Sequence, residues 1–74
     1  MVIHFKLSDK DQIPKLNKIA SKYPFDIWIH SDDRKYDATS ILSLYTLPFK
    51  KDLKLVVEEG VNSTDLLEDM KDFR

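Results

Sequence analysis

Lys18-Ile19-Ala20-Ser21-Lys22-Tyr23-Pro24-Phe25-Asp26-Ile27-Trp28-Ile29-His30-Ser31-Asp32-Asp33-Arg34-Lys35-Tyr36-Asp37-Ala38 changes its hydrophobic period at Pro24. Upstream, Ile13, Leu16, Ala20 and Tyr23 recur at intervals of three and four, with Lys15, Lys18 and Lys22 between them. That spacing predicts an amphipathic helix whose apolar stripe turns inward. Pro14 then belongs to the first turn, where a missing N–H costs little, and Asp9 or Asp11 is placed to cap it. Downstream, Phe25, Ile27 and Ile29 alternate with Asp26, Trp28 and His30, the period of a half-buried strand. Ser31-Asp32-Asp33 reads as a turn. Arg34 to Ala38 follows as a short strand with Tyr36 and Ala38 inward, so the two strands make a hairpin.

The flanking segments repeat these two periods. Residues 2 to 7 alternate, with Ile3, Phe5 and Leu7 on one face and Val2, His4 and Lys6 on the other. Thr39 or Ser40 is placed to cap a short apolar helix from Ile41 to Leu47, which Pro48 ends. Leu53, Leu55 and Val57 alternate with Lys54, Val56 and Glu58, predicting a fourth strand that runs to Gly60. Asn62 and Asp65 have the spacing of a capping pair, and Leu66, Leu67, Met70 and Phe73 form one helical stripe. The order is βαββαβα. One-sided strands and one-sided helices together demand an α+β domain, with an antiparallel sheet carrying every helix on one face and water on the other. The expected core includes Ile3, Phe5, Leu16, Ala20, Ile27, Ile29, Leu55, Val57, Leu66 and Met70.

The 74 residues suffice for one domain, 1–74, and exclude a two-domain enzyme with a cleft between its halves. Twelve Lys and Arg against 13 Asp and Glu give a net charge of −1, which supplies no footprint for nucleic acid or an anionic membrane. The absence of cysteine removes disulfides, thiolate nucleophiles and the usual zinc sites, and fits a cytoplasmic setting. The first residues lack the apolar run of a signal peptide. Asn62-Ser63-Thr64 is accordingly read as a helix start and not as a glycan site. His4 and His30 both alternate with inward residues, so both are expected on the open sheet face, too far apart to share a metal. Trp28 beside them is a large aromatic at a solvent-facing position, of the kind that marks a contact surface. No Gly-rich phosphate loop or Ser-His-Asp set occurs, so the residues predict neither a catalytic centre nor a cofactor.

Ala20-Ser21-Lys22-Tyr23, then Asp26-Ile27, then Ser40-Ile41-Leu42, in this order and spacing, resemble the histidine-containing phosphocarrier protein (HPr) family of the bacterial phosphotransferase system. The resemblance extends from about Ala20 to Gly60 and is looser in the last helix. It implies an open-faced sandwich with sheet order 1-4-2-3. Family members carry a His-Ala-Arg-Pro motif at the start of the first helix, where imidazole accepts a phosphoryl group. Here Asp9-Lys10-Asp11-Gln12-Ile13 precedes Pro14, with an Asp where the His would stand and no matching Arg.

The resemblance also implies a regulatory phosphorylation site at Ser40, the family's serine at the start of the short helix. Ser43 and Pro48 stand where the family has glycines. The expectation is a non-enzymatic regulatory module, without the phosphocarrier histidine, that binds a protein of the phosphotransferase system or a transcriptional regulator. Its contact surface would be Ile41, Leu42, Tyr45 and Leu47, flanked by Lys50 and Lys51. The short helix is apolar nearly all round and can turn only one side into the core. The alternative is a phosphotransfer protein using a different residue, with Asp9, Asp11 or His30 as candidates.

Overall fold

The computed structural model describes residues 1–58 and 64–74. Strand β1 (Val2–Phe5) is followed by helix α1 (Gln12–Ser21), strands β2 (Ile27–Ser31) and β3 (Arg34–Asp37), helix α2 (Ile41–Leu44), strand β4 (Leu53–Val57) and helix α3 (Thr64–Asp69). A single 3-10 turn, Met70–Asp72, ends the last helix. The four strands form one sheet in the order β1-β4-β2-β3, antiparallel throughout. The register aligns Ile3, Leu55, Ile29 and Tyr36 across all four strands. Three of these are buried and Tyr36 is half-buried against the core. Ile13, Leu16 and Ala20 from α1, Leu44 from α2, and Leu66 and Met70 from the C-terminal segment complete that core. All ten expected core residues are buried.

Several boundaries differ from the sequence-based expectation. Helix α2 ends at Leu44; beyond it Thr46 N–H donates to the Ser43 carbonyl and Leu47 N–H to the Leu44 carbonyl, so the chain tightens. Pro48 lies just past this segment, and a residue preceding proline is steered away from helical geometry. Strand β2 begins at Ile27, because the Phe25 ring stacks on Tyr23 at 5.4 Å instead of joining the ladder. Strand β4 ends at Val57; Gly60 and the Asn62 cap lie outside the described residues. Leu67 is exposed although its neighbour Leu66 is buried, since adjacent residues on a helix cannot share one narrow face. The hairpin turn is two residues long, and Asp32 takes the left-handed conformation, which Asp tolerates better than most side chains.

Candidate functional site

Two helix starts are the natural places to look for chemistry. At the entrance to α1 the polar groups are turned on each other. Gln12 Oε1 accepts from the Ser8 N–H at 2.6 Å, the Ser8 hydroxyl at 3.2 Å and the Asp9 N–H at 3.3 Å. Asp9 Oδ1 accepts from the Asp11 N–H at 2.8 Å. Asp11 occupies the cap position in a helical conformation and its side chain makes no capping bond, contrary to the role expected of it. The interval Asp9 to Gln12 is that of a capping box, and this spacing is the signal by which Gln12 could have been found. No histidine stands here: the chain's two histidines are His4 on β1 and His30 on β2.

The entrance to α2 is arranged differently. Ser40 is extended, at φ −95° and ψ 101°, as a cap residue should be, but its side chain makes no capping bond to the helix. Its oxygen instead receives the Ser43 hydroxyl at 3.1 Å. Thr39 is held by Asp37, whose Oδ1 accepts from the Thr39 N–H and hydroxyl at 2.9 and 2.7 Å. Of the side chains expected on the contact surface, Leu42 is 79% exposed and Tyr45 49% exposed. Ile41 is half-buried against the core, and Lys50 and Lys51 are exposed. Leu47 does not belong to this surface. It is buried, because the tightened chain after Leu44 turns it under the loop. Phe49 joins the exposed group instead, a residue the helical reading passed over because it lies beyond Pro48.

Lys50 adopts φ 62°, a conformation that costs a non-glycine residue roughly 1–2 kcal/mol. Its N–H donates to the Leu7 carbonyl at 2.7 Å, which fastens the loop after α2 to the segment that leads into α1. Nothing in the local sequence announces a left-handed lysine.

A third polar cluster fastens the far end of α1. The Tyr23 hydroxyl donates to Asp69 Oδ2, and Lys22 Nζ lies 2.8 Å from the same oxygen. Burial, then the bond to Asp69 and its charge, push the Tyr23 hydroxyl up to about 12. The bond from Lys22, seconded by that from Tyr23, holds the Asp69 carboxyl below its ordinary range. This cluster links α1 to α3 and has the character of a structural clamp.

On the open face His4 and His30 both stand opposite Lys54, on either side of β4. Two strand spacings of about 4.8 Å separate them, as expected. Among the described residues no group of three His, Asp or Glu side chains could hold a metal ion. No helix among them is long and apolar enough to cross a membrane.

Residues 12–74 match the family model described as the PTS HPr component phosphorylation site. The chain belongs to the HPr family. Members are phosphocarrier components of the phosphotransferase system. The match begins at Gln12, so the Ser8-Asp9-Lys10-Asp11 entrance to α1 lies outside it. The fold is that of solved HPr structures. It superposes on HPr-C-His from Thermoanaerobacter tengcongensis with a TM-score of 0.77 at 22% identity, covering 97% of this chain and 88% of that one. For the histidine-containing phosphocarrier protein of Mycoplasma the values are 0.73 and 18%, covering 97% and 93%. No curated protein sequence matches the chain.

Proposed function

We propose that this HPr-family chain acts as a docking module, binding a protein partner through α2 and the loop after it, without turnover and without carrying a phosphoryl group on histidine. The observation that carries this reading is the exposure of Leu42 on α2 and of Tyr45 at its C-cap, above buried Leu44 and Leu47, with Lys50 and Lys51 exposed in the loop that follows. Apolar side chains left outside a packed helix, with two cations at the rim, suit a partner that offers an apolar patch edged by carboxylates.

Two features of α1 support the negative half of the proposal. Phosphoryl acceptance at a helix start needs a nucleophile and free N–H donors for the anion. The entrance to α1 carries no imidazole, and the Ser8, Asp9 and Asp11 N–H groups already donate to Gln12 and Asp9. Ser40 is the position through which binding would be regulated. A phosphate there would place about two negative charges next to Leu42 and within the influence of the lysine pair.

The test combines binding and chemistry. Enzyme I of the phosphotransferase system and phosphoenolpyruvate are added to the isotope-labelled chain, and α2 resonances are followed together with intact mass. The expected result is perturbation centred on Leu42 and Tyr45 with no gain of phosphate. A double change of Leu42 and Tyr45 to serine should remove the perturbation and leave the melting temperature in place. Acid-labile phosphate on His4 or His30, or phosphate on Asp9 or Asp11, would overturn the proposal in favour of transfer through another residue.

A further inference from the structure

The two edges of the sheet are built differently. One is β3, where Arg34, Lys35 and Asp37 put charge on three of four positions, a pattern that keeps other strands away. The other is β1, where Val2, Ile3, His4 and Phe5 include no lysine, proline or carboxylate. Hydrogen bonds fix which groups of β1 face outward. The Met1 amino group donates to the Val57 carbonyl at 2.8 Å, and the Val57 N–H to the Met1 carbonyl at 3.0 Å. Hydrogen-bonded pairs alternate along an antiparallel ladder, so Ile3 and Phe5 also bond to β4, while Val2 and His4 turn their N–H and C=O groups outward. Lys6, the next outward residue, donates its N–H to the Phe73 carbonyl at 3.5 Å. Among the described residues no hydrogen bond reaches the outward groups of Val2 or His4, and both residues are exposed. On β3 the same alternation, set by the Ala38 N–H on the Ile27 carbonyl at 3.1 Å, turns Lys35 and Asp37 outward, and the Asp37 carbonyl takes the Ser40 N–H at 3.0 Å.

We propose that the open edge of β1 pairs with β1 of a second copy of this chain, antiparallel about a twofold axis through Ile3, joining two four-stranded sheets into one. The positions of the open groups select this occupant. The twofold sets Val2 opposite the partner's His4 and His4 opposite the partner's Val2, so every outward N–H of one copy meets an outward carbonyl of the other. Ile3 then faces the partner's Ile3 in the closely spaced kind of pair, where side chains meet. Met1 faces the partner's Phe5, so the register sets no two like charges opposite each other. Phe5 borders a hollow of about 390 Å³, shared with His4, Lys6 and Phe73, which leaves room for the partner's Met1. The association closes at two copies, because it consumes both β1 edges and leaves only the charged β3 edges outside. So short a pairing makes a small interface, with a dissociation constant on the order of 0.1 to 1 mM. Helix α2 packs beside α1 and β3, at the other side of the sheet, so this pairing and the docking role of α2 stand or fall separately.

Sedimentation equilibrium of the chain alone, taken up to millimolar concentration, should pass from one copy to two and no further. In a mixture of isotope-labelled and unlabelled chain, the filtered spectrum should show Ile3 Hα of one copy against the partner's Ile3 Hα, the short contact that this register creates. Val2→Pro removes an N–H that the ladder with β4 does not use, so the fold should persist while dimerisation weakens about tenfold or more. Val2→Lys places a charge on the edge and should act in the same direction without touching the backbone. Far-UV circular dichroism checks both folds, and the lysine variant decides the matter if the proline variant unfolds. Lys35→Ala on the other edge and Leu42→Ser on α2 should leave the dimer unchanged. The proposal is overturned by a single-copy mass at millimolar concentration, by species larger than two, or by folded Val2 variants that dimerise as well as the parent. Loss of the dimer in Leu42→Ser would overturn it too, and would assign the contact to α2.

Discussion

The segment leading into α1 is joined to the loop after α2 by the Lys50–Leu7 hydrogen bond, yet the starts of the two helices are built to opposite ends. At α1 the loop satisfies itself: one amide oxygen of Gln12 takes three donors and Asp9 takes a fourth. At α2 the side chain of the cap residue leaves the helix donors alone, and the outward side chains are Leu42 and Tyr45. A polar entrance that consumes its own donors has little left to offer an anion, whereas a short helix pinned from beneath must present whatever faces outward. On the docking role proposed above, the difference assigns binding to α2 and a structural task to the entrance of α1.

The sharpest way to break this comparison is to truncate leucines two positions apart. Leu44→Ala removes a fully buried side chain and should cost about 2–5 kcal/mol in urea unfolding, while Leu42→Ala should fall within about 0.5 kcal/mol of the parent. Comparable losses at the two positions would mean that Leu42 is core and α2 presents no surface. At the other entrance, Gln12→Ala strands the Ser8 and Asp9 donors and should cost about 1–2 kcal/mol. Amide exchange at Ser8 and Asp9 should quicken together; unchanged exchange would show that water replaces the glutamine without penalty.

The clamp at the far end of α1 gives a smaller effect, with a pH signature. Tyr23→Phe should cost about 1 kcal/mol near neutral pH. Unfolded tyrosine ionises near 10 and folded Tyr23 at about 12, so its contribution is full below pH 10 and is lost as pH rises through 12. Asp69 acts with the opposite sign: its lowered folded value stabilises above pH 3.8, and that contribution disappears as pH falls through the folded value. Stability measured against pH should therefore decline at both ends, and Tyr23→Phe should abolish Tyr23's alkaline contribution and shrink the acid decline in part, since Lys22 still holds Asp69 low. The smallest expected change is a gain. Lys50→Gly relieves the left-handed lysine but frees the unfolded chain, for a net gain of about 0.5 kcal/mol by thermal unfolding. A loss instead would show that the lysine stem packs on the loop.

Residues whose environment follows from period alone were legible in the sequence. Ile3, Ile27, Ile29, Leu55, Leu16 and Ala20 each sit on one face of a regular element, and all are buried as that periodicity demands. The sheet order was not legible this way, because alternation says which side faces inward and nothing about which strand lies beside which; it came from resemblance to a family. Local exceptions escaped for a related reason. Leu47 and Leu67 are apolar residues in apolar runs, and which of them is buried depends on how the chain tightens before Pro48 and on which face α3 turns inward. The Lys22–Tyr23–Asp69 cluster joins residues far apart in sequence, and no local pattern brings them together.

The pairing of Val2 with Val56 sets the timing of assembly. The β2–β3 hairpin closes through a two-residue turn and can form as soon as it leaves the ribosome, whereas β1 must wait for β4, nearly the whole chain later. During that interval Ile3 and Phe5 have no ladder partner. The last strand to be made is then the one that recruits the first, inserting between β1 and β2 to complete the sheet. Removing β1 deletes a late-docking edge, while removing β4 would leave the first strand and the hairpin with nothing between them.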